Sequence, residues 1–222
     1  MAAQHTTTTV VQLKQESSLL PRDFYARPVI EVARDCLGKI LVHGSTAGRI
    51  VEVEAYLGVH DRAAHSWRGI TDRTRVMFGE PGHAYVYFIY GMYECLNFVC
   101  EPPGQAGCVL IRALEPLAGI ATMRRRRFTA KRLEDIANGP GKLTLAMGIT
   151  RKFNGADLTA SALQVRRPVH EPSFRVETTP RIGITHCADW PLRFVIAGNH
   201  FVSRWTTAKG SGVRRHVAGL TV

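Results

Sequence analysis

Glu52 and Glu54 stand two apart in the run Ile50-Val51-Glu52-Val53-Glu54-Ala55-Tyr56. In an extended strand such residues share a face, their Cα atoms about 6.5 Å apart. Tyr56 falls on that face, and His65, Tyr87 and Asn97 are near enough in the chain to converge on it. Carboxylates, aromatic rings and a loop-borne histidine are the groups that hold and attack a flat, polar substrate. An inverting sugar hydrolase is one such chemistry, since its two carboxyls stand about 6.5–9.5 Å apart. The bland alternative is a pair of solvated carboxylates on an edge hairpin.

A second group of residues points to a polyanion. Tyrosines recur at 85, 87, 90 and 93. Tyr85 reads as core, whereas Tyr90, beside Gly91 at an expected hairpin tip, is placed to enter a nucleic acid stack. Arg124 to Arg127 form an unbroken basic run that suits either a helix end or phosphate binding, and Arg124, Arg125 and Lys142 are the candidates for phosphate contacts. Gly139-Pro140-Gly141-Lys142 is neither a complete phosphate loop nor a dinucleotide fingerprint. Five cysteines are scattered without a Cys-x-x-Cys pair, which argues against a disulfide framework or zinc ribbon and for reduced core thiols. Cys95 and Cys100 with His83 nearby, or His60 with His65, are weak metal candidates, and no metal site is expected.

The elements that must position these groups follow from pattern. A short helical stretch from Asp23 leads to Pro28, and a helix runs from Val29 to Leu37 with Gly38 as its C-cap. Lys39–His43 and Gly48–Tyr56 read as a hairpin, and 58–82 as a long surface loop holding His65. Ala84–Ile89 and Glu94–Cys100 form a second hairpin, with Tyr90, Met92 and Tyr93 near its tip. Cys108–Leu114 is a further strand, and Pro116 opens a helix ending in the arginine run. A helical stretch over 131–137, a short helix to Met147, and strands near 163–166, 181–185 and 192–197 complete the chain, with no internal repeat. Hairpin strands with helices set apart between them make the class α+β around an antiparallel sheet.

The 222 residues fit one large domain, and 45% apolar content is ordinary for a globular core. Twenty-nine basic against eighteen acidic residues give a formal charge of +11, which favours a polyanionic partner, nucleic acid first and an anionic membrane surface second. No apolar run is long enough to span a bilayer, and the opening residues lack the layout of a secretory signal, so a cytoplasmic, nucleoid-associated or nuclear protein is expected. Residues 1–19 read as a poorly ordered arm, 20–204 as the working domain and 205–222 as a flexible basic tail.

At these residues the sequence resembles the alkyladenine (3-methyladenine) DNA glycosylase family. Six segments carry the resemblance in unbroken order: 50–58, Ala63-Ala64-His65-Ser66, 85–93, Val109–Pro116, 139–143 and Pro191-Leu192-Arg193-Phe194. The resemblance implies a single compact α+β domain with a curved antiparallel sheet, surrounding helices and a protruding, DNA-intercalating β-hairpin. It implies a monofunctional glycosylase that flips damaged purines out of duplex DNA, needs no cofactor and works as a monomer. Glu54 would be the general base for the attacking water, with Arg112 and the carbonyl of Ile196 holding that water. Tyr56, Ala63, His65 and Tyr87 would hold the flipped base, and Asn97 would clash with the 2-amino group of guanine at the pocket floor. Tyr90, flanked by Met92 and Tyr93, would fill the gap left in the helix. Glu94 departs from the pattern, an acidic residue where phosphates would pass. A non-catalytic lesion-binding protein on the same fold is the alternative.

Overall fold

In a computed structural model, which describes residues 9–203, the central element is an eleven-residue strand paired on both sides. The chain enters through α1 (Val10–Gln15), whose first turn is closed by a reciprocal Thr9–Gln12 capping box. It continues through β1 (Ser17–Leu19), α2 (Arg22–Tyr25) and α3 (Val29–Cys36). Val29, Val32, Ala33 and Cys36 repeat at helical spacing and are buried, which lays α3 on the sheet. Glu101, from a distant turn, accepts the Val29 amide at 2.8 Å and so caps an N-terminus that Pro28 cannot.

Next come β2 (Ile40–His43), β3 (Thr46–Tyr56), β4 (Ala84–Ile89), β5 (Tyr93–Cys100) and β6 (Gly107–Ala118). The remainder is α4 (Ile120–Arg126), α5 (Pro140–Met147), β7 (Leu163–Pro168), β8 (Val176–Thr179) and β9 (Arg193–Ile196). The nine strands pair antiparallel throughout, in the order β1-β7-β2-β3-β6-β5-β4, with β9 on β3 and β8 on β9. β6 follows β3 along its whole length, while β2 covers the first part of its other edge and β9 the part holding Glu52 and Glu54. The α+β class and the antiparallel sheet agree with the sequence pattern.

Several boundaries differ from expectation. Pro116 does not open a helix. It lies in β6 opposite Gly48 at a register shift, where a missing N–H breaks no regular ladder, and the helix starts at Ile120. The stretch 131–137 forms only a 3₁₀ turn, Leu133–Asp135, and the Asp135 and Ile136 carbonyls accept from the Arg127 guanidinium. Residues 181–185 are not a strand; the pairing with β9 is made by Val176–Thr179 instead. Within the expected N-terminal arm, α1 is a helix and β1 pairs with Arg166–Pro168. The first eight residues and the basic tail lie outside the described residues.

The segment 58–82 is expected to be a surface loop, and its first part is folded onto one buried carboxylate. Asp61 accepts the Leu57 and Ala63 amides and both terminal nitrogens of Arg181. Three 3₁₀ turns, Gly58–His60, His65–Arg68 and Arg75–Phe78, follow one another along the segment.

Candidate active site

Where β3 meets β6, the register shifts twice, between Ile50 and Glu52 and between Glu52 and Val53. Glu52 pairs with Ala113 and Val53 with Ile111, leaving Arg112 as the extra residue of a bulge. Bulges redirect side chains. The Arg112 guanidinium turns toward both carboxylates, with Nε donating to Glu52 Oε1 at 2.9 Å and Nη1 3.2 Å from Glu54 Oε1. Both glutamates are 0% exposed, so the reading of solvated edge carboxylates does not hold.

The two carboxylates have different surroundings. Glu52 is saturated: besides Arg112 it accepts from Arg193 Nε at 2.7 Å, from the Ser203 amide at 2.6 Å and from the Ser203 hydroxyl at 2.7 Å. Burial alone pushes its pKa up, but the two arginines and the Ser203 amide outweigh burial and hold it below the ordinary carboxylate value. Glu54 accepts the Ile182 amide at 2.8 Å on Oε1 and the Tyr56 hydroxyl at 2.9 Å on Oε2. There burial wins over Arg112, the Ile182 amide and Tyr56, and the pKa is raised. A carboxylate has about four lone-pair positions, so three donors leave roughly one for a further donor. A single carboxylate free to accept one more proton donor does not suit a sugar hydrolase, which needs a second acid beside it.

In front of Glu54 opens a cavity of about 500 Å³, within the range of small-molecule sites. Tyr56, Arg112 and Ile182, which all touch Glu54, form part of its wall, while Glu54 itself sits behind them. Ala63, His65, Tyr87 and Asn97 also line it, so the cavity gathers every residue expected to hold the base. The His65 and Tyr87 rings meet edge to face, 4.5 Å apart at 74°. His65 is exposed yet lines the cavity, and partial burial together with Arg73 pushes its pKa down to about 4, so the ring is neutral near pH 7. Asn97 is buried, its amide nitrogen donating to the Tyr85 carbonyl at 3.1 Å.

β4 and β5 pair from Ala84–Phe98 out to Ile89–Tyr93, and residues 90–92 make the turn. Tyr90, with φ 53°, and Gly91, with φ 67°, supply the two left-handed residues it requires. Tyr90 is 78% exposed, and Met92 and Tyr93 are exposed beside it. The turn is anchored at its base, where the Tyr93 ring lies so close to Gly141 of α5 that a Cβ there would come within 2.7 Å of it. Tyr90, Tyr93, Gly141 and Lys142 all border the cavity mouth. Glu94 turns away from the mouth, held by Arg151 at 3.1 Å.

The arginine run divides. Arg126 donates to the Ala146 carbonyl at 3.0 Å, and Arg127 holds the 135–136 carbonyls, so both are structural. Arg124 and Arg125 are exposed. Lys142 donates to Asn138 at 2.8 Å, and partial burial, with Arg127 nearby, lowers its pKa.

Among the expected site residues Ile196, like Met92, Arg124 and Arg125, is not part of the cavity wall. It pairs with Val176, and its carbonyl accepts the Asn199 amide at 3.2 Å, so neither it nor its carbonyl belongs to the cavity wall. The wall there is Ile182, Gly183 and Ile184, the segment that the sequence pattern assigned to a strand. Arg181 sets its position: its guanidinium is bound by Asp61, donates to the Ala55 carbonyl at 3.0 Å and lies 4.5 Å from the Tyr56 ring centroid. Sequence reasoning missed Asp61, Arg73, Arg181 and Ile182, whose partners lie 12 to 128 residues away in the chain. Among the described residues no group of three or more His, Cys, Asp or Glu side chains is gathered as a metal site would need, and no helix is long and apolar enough to cross a membrane.

Comparison with known proteins gives consistent matches. Residues 23–200 match the family model for methylpurine-DNA glycosylase. A Methanoculleus marisnigri protein named "Putative 3-methyladenine DNA glycosylase" is 53% identical, covering 83% of this chain and 98% of its own. Proteins of the same name from Alkaliphilus oremlandii (48% identical, covering 83% and 98%) and Rhodopseudomonas palustris (49% identical, covering 84% and 88%) are also similar.

Proposed function

The chain belongs to the methylpurine-DNA glycosylase family, and from that membership we propose that it hydrolyses the N-glycosidic bond of damaged purines flipped out of duplex DNA. The family makes it a hydrolase of N-glycosyl bonds acting on DNA. The observation that carries the finer reading is Glu54, fully buried, held by three donors with about one lone-pair position unfilled, and lying directly behind the Tyr56, Arg112 and Ile182 wall of an aromatic cavity.

A water bound at that position donates one proton to Glu54, and its oxygen forms the new bond to C1′ while the C1′–N bond breaks and the purine departs with the bonding pair. A raised pKa suits a general base, because a carboxylate with a higher pKa takes a proton more readily. Its negative charge also stabilises the positive charge that develops on the sugar. Arg112, tied to Glu52, keeps Glu54 oriented and its charge balanced.

Extrusion of the base costs a few kcal/mol and is least costly for damaged or mispaired bases, so flipping itself selects. A purine alkylated at N3 or N7 is cationic, and the electron-rich faces of Tyr56 and Tyr87 favour it. It leaves as a neutral base, which makes it the easiest substrate, with hypoxanthine and ethenoadenine as the neutral lesions. Tyr90, exposed at the hairpin turn, would occupy the vacated stack, with Met92 and Tyr93 beside it. The reaction as written leaves an abasic site and no broken strand.

The test is single-turnover excision on an end-labelled duplex holding one hypoxanthine or one 7-methylguanine, developed with hot alkali. Wild type should give alkali-dependent breaks, and Glu54→Gln should slow them by about 10²–10⁴-fold, the usual worth of a general base, while still binding the lesion duplex. Breaks at equal rate in Glu54→Gln would refute the assignment of the base, and tight lesion binding without excision in wild type would leave a binding protein.

A further inference from the structure

Tyr85, placed by its burial among the core aromatics, has its hydroxyl between two functional groups. Arg73 Nε donates to it at 3.2 Å, and His65 Nδ1 stands 3.0 Å away on the other side. A guanidinium can only donate, so the tyrosine oxygen accepts from Arg73 and its single hydrogen must find another acceptor. Among the described residues Nδ1 of His65 is the acceptor within reach. An imidazole nitrogen that accepts carries no proton, which puts the proton of a neutral ring on the other nitrogen.

We infer that Arg73 and Tyr85 act as positioning residues that fix His65 as its Nε2–H tautomer, so that the cavity wall offers a hydrogen-bond donor and takes bases presenting a carbonyl oxygen or an unprotonated ring nitrogen to it. The inference rests on the reading of this cavity as the base site. Packing holds the ring in place as well: His65 stands edge-on to both Tyr85 and Tyr87, and the Arg73 guanidinium lies 5.3 Å from the Tyr87 ring centroid. One arginine thus orients the histidine through Tyr85 and covers the neighbouring aromatic wall. Because His65 stays neutral near pH 7, tautomer choice decides whether that wall donates or accepts.

Nitrogen-15 NMR of histidine-labelled full-length protein, free of DNA, reads the tautomer directly. Wild-type His65 should show a protonated Nε2 and an unprotonated Nδ1. Tyr85→Phe should mix the tautomers and slow hypoxanthine excision by about tenfold, the loss of roughly one hydrogen bond, with little change in melting temperature. Arg73→Met should act in the same direction, and Arg73→Lys, which keeps a donor, should restore both readouts. A wild-type His65 protonated at Nδ1, or a tautomer unmoved in Tyr85→Phe, overturns the relay. A tautomer shift with unchanged excision overturns its role in recognition. Failure of the glycosylase reading shows separately, as absence of excision in wild type with the tautomer still measurable.

Discussion

Glu54 illustrates how one residue type takes two roles two positions apart. Glu52 and Glu54 share a strand face, full burial and a contact with Arg112, yet one pKa is lowered and the other raised. The difference lies in the donors: Arg193 and Ser203 serve Glu52 alone. If Glu54 is the base, the acidic limb of the pH–rate profile reports its ionisation and should lie above the ordinary carboxylate pKa. The Tyr56 hydroxyl stabilises the ionised form, so Tyr56→Phe should move that limb to higher pH, read from single-turnover rates across the acid range. A limb unmoved in that variant would mean another group limits the rate. The carboxylate run, His65 and the tyrosines were legible in the sequence as chemistry-bearing residues. Which carboxylate is free was not, because Arg193 and Ser203 reach Glu52 from 141 and 151 residues away.

At the scale of elements, the site is assembled by joints between segments. The bulge of β6 turns Arg112 onto the carboxylates, α5 seats the hairpin turn through Gly141, and the Asp61–Arg181 pair ties the loop before His65 to the segment that offers the Ile182 amide. Removing one partner of a buried pair leaves the other charge uncompensated. Arg181→Met should therefore destabilise the protein by about 3–5 kcal/mol, measured as a lower denaturant midpoint at unchanged slope. Adding Asp61→Asn, which keeps an acceptor for the loop amides, should recover much of the loss. A single variant as stable as wild type would deny the pair its bridging role. Local pattern predicted α3, α5 and the β4–β5 hairpin well, since their buried residues recur at element spacing and Gly91 and Gly148 take the left-handed conformation. It misjudged Pro116 and residues 181–185, where pairing partners elsewhere overrode local preference.

At the scale of the whole molecule, a charge of +11 favours a polyanion, and DNA binding should weaken steeply with salt. The arginine run is not uniform in this respect. Arg126 and Arg127 are committed to carbonyls, so only Arg124 and Arg125 are available to phosphates. Replacing both with Gln should flatten the log–log salt dependence of DNA affinity by up to about two units, near 0.9 per phosphate contact, without lowering stability. An unchanged slope would place the DNA path elsewhere. By itself, the sequence determined the α+β class, the antiparallel sheet and the basic character, because burial period, turn residues and charge are properties of neighbours in the chain, while the residues expected to hold the base came from the family resemblance. Only the tertiary structure decided that Glu52 is saturated and Glu54 open, that Ile182 rather than Ile196 lies at the cavity wall, and that Tyr85 joins Arg73 to His65. Those outcomes depend on hydrogen bonds between strands and loops far apart in the chain, and on two bulges whose register local pattern does not carry.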